Sequence, residues 1–349
     1  MSVSLAAGRA TYRAGPVSGV FSPRSLLASL ALAVLAGLFF LLSVATGDLP
    51  LPLADIPVAL VGAGDPATLF IVQELRLPRA LVGLLVGVVF GLSGAVFQTM
   101  SRNPLAAPDM IGITGGAQVA VVGGIVLGWG SGLGTQVLGL LGAFAAGALV
   151  YVLSMGGGHG YRLVLVGIGV SWACASLTDY LLAKALPYQA NEAVGWLFGS
   201  LNERGWHHVR PLVLSAAILV PVTLLLSRWL TTLQLGDAVA RGLGTPVGAV
   251  RFALLIVGAG LAAFGTAAAG PIIFVALVSP QIAQRLAGTP APPLVGSSLV
   301  GAALVLGADL VTRHVLVSVE LPVGVVTGIV GAPVLLWLLT RTNRLGSGG

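Results

Sequence analysis

Few residues in this chain have the type and spacing for chemistry, and each is poorly placed for it. A phosphate-binding loop of the Gly-Lys-Ser/Thr kind needs an ammonium that reaches the phosphates, yet the one lysine, Lys184, lies in Leu-Ala-Lys-Ala-Leu. The chain therefore carries no P-loop of its own. The single cysteine, Cys174, stands inside an apolar segment and reads as packing rather than as a redox or ligand group. His207-His208 follow Trp206 at a helix end, where an interfacial aromatic belt is the expected setting. His159 in Gly-Gly-Gly-His-Gly reads as a solvated turn, and Asp179 suits either a pathway carboxylate or one that snorkels to the interface. No catalytic residue, metal site or resident cofactor is expected. Arginines and glycines at regular places in apolar runs remain, and these call for membrane helices to position them.

Composition sets the solvent. Of 349 residues 56% are hydrophobic and only 8% charged, with a mean hydropathy of +1.01, against roughly 25% charged residues in soluble domains. The expected fold is an all-α, polytopic membrane protein. Its 50 glycines are dispersed through apolar runs, as helix-packing residues are. Ten spans are expected, at 26–46, 78–100, 112–130, 136–155, 162–184, 209–230, 251–268, 271–287, 293–309 and 322–340. Pro280 interrupts the eighth, with Gln281, Gln284 and Arg285 following, so eight or nine spans also fit.

Residues 1–25 carry Arg9, Arg13 and Arg24 without an acid. The first span exceeds a signal-peptide core of ~7–15 residues, so the expectation is a basic cytoplasmic arm, an uncleaved anchor, a transmembrane domain over 26–341 and a cytoplasmic tail at 342–349. In that topology eleven of the 17 basic residues lie inside and six outside, as the positive-inside rule requires. The +6 balance is then an orientation signal in a multi-pass cytoplasmic-membrane protein, and nucleic-acid binding is discounted.

The stretch 76–118 joins a charged gate, an apolar span and a polar turn. A helix is expected to begin just after Leu77-Pro78-Arg79, with proline in its first turn, and to run to about Met100, long enough for a ~30 Å hydrocarbon core. Gly83, Gly87, Gly91 and Ala95 share one face at four-residue spacing, so a second helix can approach closely. Gln98 and the Ser101-Arg102-Asn103-Pro104 hairpin return the chain to water.

This block resembles the signature of the FecCD-type permease subunits of bacterial importers for iron–siderophore, haem and cobalamin complexes. Three further segments match in order. Leu235-Gly236-Asp237-Ala238-Val239-Ala240-Arg241-Gly242-Leu243-Gly244, within the loop 235–250, resembles the family's coupling helix; an interfacial helix on lipid headgroups is the plainer reading. Residues 269–285 look like the Gly-Pro-Ile-x-Phe-Val stretch, with Gln281 in place of the customary histidine. Residues 307–334 match the closing block, where Gly324, Gly328 and Ala332 form another small-residue face. The resemblance covers about residues 70–341.

The resemblance implies a permease that works in a pair, identical or homologous. Two separate ABC ATPase subunits would bind ATP and Mg and power import by alternating access, and a substrate-binding protein would deliver a metal chelate. Contact with the ATPase would fall on Leu235, Gly236, Asp237, Ala238, Arg241, Gly242, Leu243 and Gly244, and docking of the binding protein on Arg76, Arg79 and Arg313. Gln98, Ser171 and Thr178 are the polar candidates for the pathway. Ferric siderophore is the expected cargo, with cobalamin or haem as the alternative. An ATP-independent secondary transporter fits less well, because such proteins bury coupling charges near the midplane and this chain places its charges at span ends.

Overall fold

The computed structural model describes residues 2–6, 9–14, 17–47, 49–129, 134–154, 161–315 and 321–346. His159, Asp48 and Glu320 lie outside the described residues. Near the N-terminus three short antiparallel strands, β1 (Ser2–Ala6), β2 (Arg9–Ala14) and β3 (Val17–Phe21), form a meander in the order β1-β2-β3. Ser2 pairs with Arg13 and Ala10 with Phe21. The arm expected at 1–25 is therefore largely strand, and the first helix already starts at Pro23. Charge alone carries no information on backbone pairing, whereas the valines, threonine and tyrosine of these runs favour strands.

The rest of the fold is helical: α1 (Pro23–Ala45), α2 (Asp55–Leu60), α3 (Pro66–Phe70), α4 (Leu77–Ser101), α5 (Ile113–Val126), α6 (Thr135–Ser154), α7 (Tyr161–Lys184), α8 (Pro187–Leu197), α9 (Trp206–Gln234), α10 (Asp237–Gly242), α11 (Val247–Ala269), α12 (Val275–Ala287), α13 (Leu294–Val315) and α14 (Val323–Gly346). A helix stands in each of the ten expected ranges. Seven are long and apolar enough to cross a membrane by length and composition, and Ile113–Val126 and Val323–Trp337 are shorter apolar helices. Helix α14 continues to residue 346, so most of the expected tail is helix.

The second span does not begin at Pro78. Helix α3, a π-turn (Ile71–Arg76) and α4 run on as one 36-residue helix from Pro66. Inside an α-helix a proline ring clashes with the carbonyl four residues back and supplies no donor. The wider π-turn before Pro78 relieves that conflict, with Leu77 N–H reaching Val72 O. The eighth range also differs from expectation. Its helix α12 has 13 residues, only ~20 Å at 1.5 Å per residue, and residues 270–274 before it are non-helical. Such backbone is tolerated at membrane depth only where protein buries it. Gly270, Pro271 and Ile272 are buried here, and Ala269 O accepts Ser200 N–H at 2.8 Å.

Helix α4 is the hub, packed against α9, α11, α12 and α13. A Cβ on Gly87 would lie 2.5 Å from Ala302 Cα, and one on Gly91 3.0 Å from Ser298 Cα, so both admit the α13 backbone. Gly83 instead faces the Leu201 and Leu306 side chains. Gly324 meets the Phe198 carbonyl, while a Cβ at Gly328 would meet nothing within 4 Å among the described residues, so no close helix approach depends on it there. Gly116 and Gly142, at the α5–α6 contact, are a glycine pair that the small-residue pattern of 76–118 did not reveal.

Candidate functional site

Two ends and one side of the bundle carry its polar groups. At the end holding Arg76, the expected docking arginines are engaged within the chain. Arg76 is 5% exposed; its Nη1 donates to Val44 O at 3.3 Å and Ala45 O at 2.8 Å, and its Nη2 donates to Leu49 O. It satisfies carbonyls that the end of α1 leaves without helical donors, so the expectation of an exposed Arg76 is corrected. Arg79 binds Asp309 Oδ1 through Nε at 3.1 Å and Nη2 at 2.7 Å. Arg313 pairs with the other oxygen of Asp309 and reaches Ser43 O at 3.2 Å and Ser43 Oγ at 3.1 Å. Asp309 is fully buried. The Asp309–Arg313 spacing of four was legible in the sequence; the Arg79 partnership, 230 residues apart, was not.

Of the two histidines behind this end, His207 is exposed and His208 differs from expectation. His208 is buried, and Arg204 Nη1 donates to its Nε2 at 2.9 Å. Trp206 Nε1 donates to Gln73 O at 3.0 Å, tying α9 to the π-turn. Trp206 and His208 are thus engaged within the chain, while His207 stays exposed.

Of the pathway candidates, Gln98 is corrected. It is buried on α4, donates to Leu277 O at 2.9 Å and accepts from Gln281 Nε2 at 2.6 Å. The residue that replaces the customary histidine is thus half of an α4–α12 clasp. Thr178 is also buried, away from open space. Ser171 borders a cavity of about 260 Å³, together with Asp109, Thr114 and Gln118, which sequence reasoning passed over. This cavity opens beside α7, the least buried of the long apolar helices. Helix α7 exposes Trp172, Leu177 and Tyr180.

At the other end, the hairpin and the loop 235–246 meet. Arg102 closes α4 in the left-handed region at φ 53°, and Asn103 Oδ1 accepts Leu105 N–H at 2.9 Å beside the exposed Pro104. Asp237, in the first turn of α10, pairs with Arg251 at 3.0 Å and Arg102 at 3.9 Å. Thr232 and Thr245 hydroxyls, 2.9 Å apart, close the base of the loop. Leu235, Val239 and Leu243 are 58%, 50% and 61% exposed, and their four-residue spacing lays them along one face. Ala238, Arg241, Gly242 and Gly244 are exposed as well, whereas Gly236 and Asp237 are half-buried. The loop therefore pins Asp237 inward and turns an apolar face outward.

Hydrogen bonding from Arg251 holds the Asp237 carboxyl below the usual 3.8. A depressed carboxylate contributes stability above its ordinary value and loses it as pH falls through the lowered one, so this tie is intact at neutral pH. Exposed pairs are worth ~0.2–1 kcal/mol. Asp237→Asn is accordingly expected to raise amide exchange in residues 235–245 a few-fold at pH 7, with the wild type converging on it only in strong acid. Equal exchange in the two proteins at pH 7 would count against an anchoring role.

The FecCD transport family matches residues 33–341. The chain belongs to that family. It is 37% identical over 313 residues to the ferric enterobactin transport system permease protein FepG of Escherichia coli, covering 89% of this chain and 94% of that protein. It is 40% identical over 276 residues to the Fe(3+) dicitrate transport system permease protein FecD of the same organism, covering 78% and 86%. Among solved structures, an inward-facing conformation of a metal-chelate type ABC transporter superposes with a TM-score of 0.78 at 28% identity, over 90% of this chain and 98% of that one. The match begins well before residue 70, so the family relationship includes α1.

Proposed function

We propose that this chain is the membrane-spanning permease subunit of an ATP-driven importer, carrying a ferric-siderophore-type chelate from an outer binding protein to the cytoplasm. Family membership over residues 33–341 supports the transport role. The geometric observation that carries the ATP-driven reading is the loop 235–246, whose exposed apolar face on α10 is anchored from behind by Asp237. An exposed apolar patch rimmed by polar residues marks a protein contact, and a firmly held one transmits movement. The partner subunit on this face is an ABC ATPase, which binds the ATP and Mg. The exposed, aromatic-bearing face of α7 is the surface offered to a second permease copy or homologue, with the pathway between them. In this reading both termini are cytoplasmic, with the excess of arginine on the inner side in support. In this assembly Arg79, whose side chain is 21% exposed, is the residue of the Asp309 cluster that remains accessible to a binding protein. Cobalamin or haem is the second reading for the cargo.

The test replaces Arg241 with Glu and, separately, Gly242 with Trp, in the permease–ATPase complex reconstituted with its binding protein. Arg241 is exposed and a Cβ at residue 242 would meet nothing within 4 Å, so folding and insertion are expected to survive. Uptake and substrate-stimulated ATP hydrolysis are expected to fall at least ~20-fold, the effect of ~1.8 kcal/mol or more lost at an interface centre. Normal uptake in both variants would overturn the assignment of this surface.

A further inference from the structure

The cavity beside α7 has a chemistry that neither the fold nor the family match assigns. Asp109 sits in the short 3-10 turn Pro108–Ile111 that follows the hairpin, and its backbone carbonyl accepts the Ser171 hydroxyl at 3.2 Å. Ser171 lies ten residues into α7, about 15 Å along its axis, so the turn is held at membrane depth rather than at the surface. Asp109 is nevertheless exposed. A carboxylate at such depth does not face hydrocarbon; it faces a bundle interior or a water-filled cavity. One of its oxygens accepts the Thr114 hydroxyl, and the other has no hydrogen-bond partner among the described residues. Gln118, one turn further along α5, borders the same space. Phe90, Leu197 and Ile273 form the apolar wall, and among the described residues no arginine, lysine or histidine lines the cavity.

We propose that Asp109, Thr114, Gln118 and Ser171 form a cargo subsite on the translocation pathway, which takes the hydrogen-bond-donating edge of a neutral or cationic metal chelate and disfavours polyanionic chelates. The inference rests on the reading of the chain as a chelate permease. A carboxylate and a side-chain amide offer acceptors to amide N–H, hydroxyl or ammonium groups. Like charges brought together are strongly penalised, and with no base in the lining nothing offsets the repulsion of a polyanion. The apolar wall is suited to the hydrocarbon backbone of such a ligand, as in pockets where few polar groups fix orientation.

The test measures binding of three ferric probes to the permease co-purified with its ATPase in lipid nanodiscs, read by quenching of tryptophan fluorescence. The probes are a neutral trihydroxamate complex, a linear trihydroxamate complex bearing an ammonium, and a trianionic tris-catecholate complex. The wild type is expected to bind the ammonium-bearing probe most tightly and the trianion least. Asp109→Asn is expected to shrink the ratio of their affinities about tenfold, and Gln118→Leu to weaken the two hydroxamates about tenfold while the carboxylate stays in place. Should the Asp109 variant fail to assemble, the Gln118 and Thr114→Val variants decide the matter by the same reading. Wild-type binding of the probes with ratios unchanged in every variant would overturn the subsite and leave the permease reading standing. No binding or uptake of any of the three by the wild-type complex, with binding protein present, would overturn both.

Discussion

Gly94→Val yields no assembled protein. A Cβ at residue 94 would overlap the carbonyl of Ala276 on α12, and the obstruction is backbone, which no rotamer change can move aside. That carbonyl is where it is for a reason legible in the residues. Pro280, four positions on, supplies no N–H to it, so it is free to lie against Gly94, one of the four glycines of α4, a setting suited to a Cα–H contact. Ordinary overpacking costs ~1–3 kcal/mol. Here two helices of the hub would have to separate, and the clasp of Gln98 on Leu277 O and Gln281 would part with them. The measurement is the monodisperse fraction after detergent extraction, with Gly169→Ala, which meets nothing within 4 Å, as the control expected to behave as wild type. A monodisperse, thermally normal Gly94→Val protein would refute this account of the α4–α12 contact.

Asp309→Ala is expected to cost ~3–5 kcal/mol, the typical effect of removing one member of a buried ion pair and leaving its partner uncompensated. Asp309 is wholly buried between two guanidiniums, Arg79 and Arg313. Arg313 is only 8% exposed, and it also grips Ser43 near the end of α1. Loss of the carboxylate therefore strands two cations and loosens α1 from α13. Thermal unfolding in detergent should show the loss, and hydrogen exchange should localise it to residues 40–47 and 309–313. The exposed Asp179→Asn should stay within ~0.5 kcal/mol, as surface changes do. A loss below about 1 kcal/mol for Asp309→Ala would mean that the cluster is not a structural fastening.

Much of the fold was legible without coordinates because hydropathy and helix length are properties of consecutive residues. Ten apolar runs became ten helices. The loop at 235–246 was recognisable because its glycines and charges interrupt that pattern, and the helix-packing glycines 87 and 91 because a period of four is local. The misplacements share a different physics. Pro78 read as a helix start because a proline's missing donor is harmless there, and only the ladder itself shows the π-turn that accommodates it further in. Arg76 read as a docking cation because the family resemblance implies one at its position, and only the position of the α1 carbonyls shows what it satisfies.

The polar residues divide along the same line. Sequence by itself determined that this chain lives in a membrane, where its apolar runs lie, that it has no P-loop of its own and which loop stands out, since each follows from composition or from neighbours within a few positions. Tertiary structure alone decided that Gln98 clasps Gln281 instead of lining a path, that Asp237 faces Arg102 and Arg251, that Asp309 meets Arg79, 230 residues before it, and that Asp109 and Gln118 open on one cavity. A buried polar group is assigned its role by whichever partner satisfies it, and in a bundle of antiparallel helices that partner is set by which faces meet, not by distance along the chain.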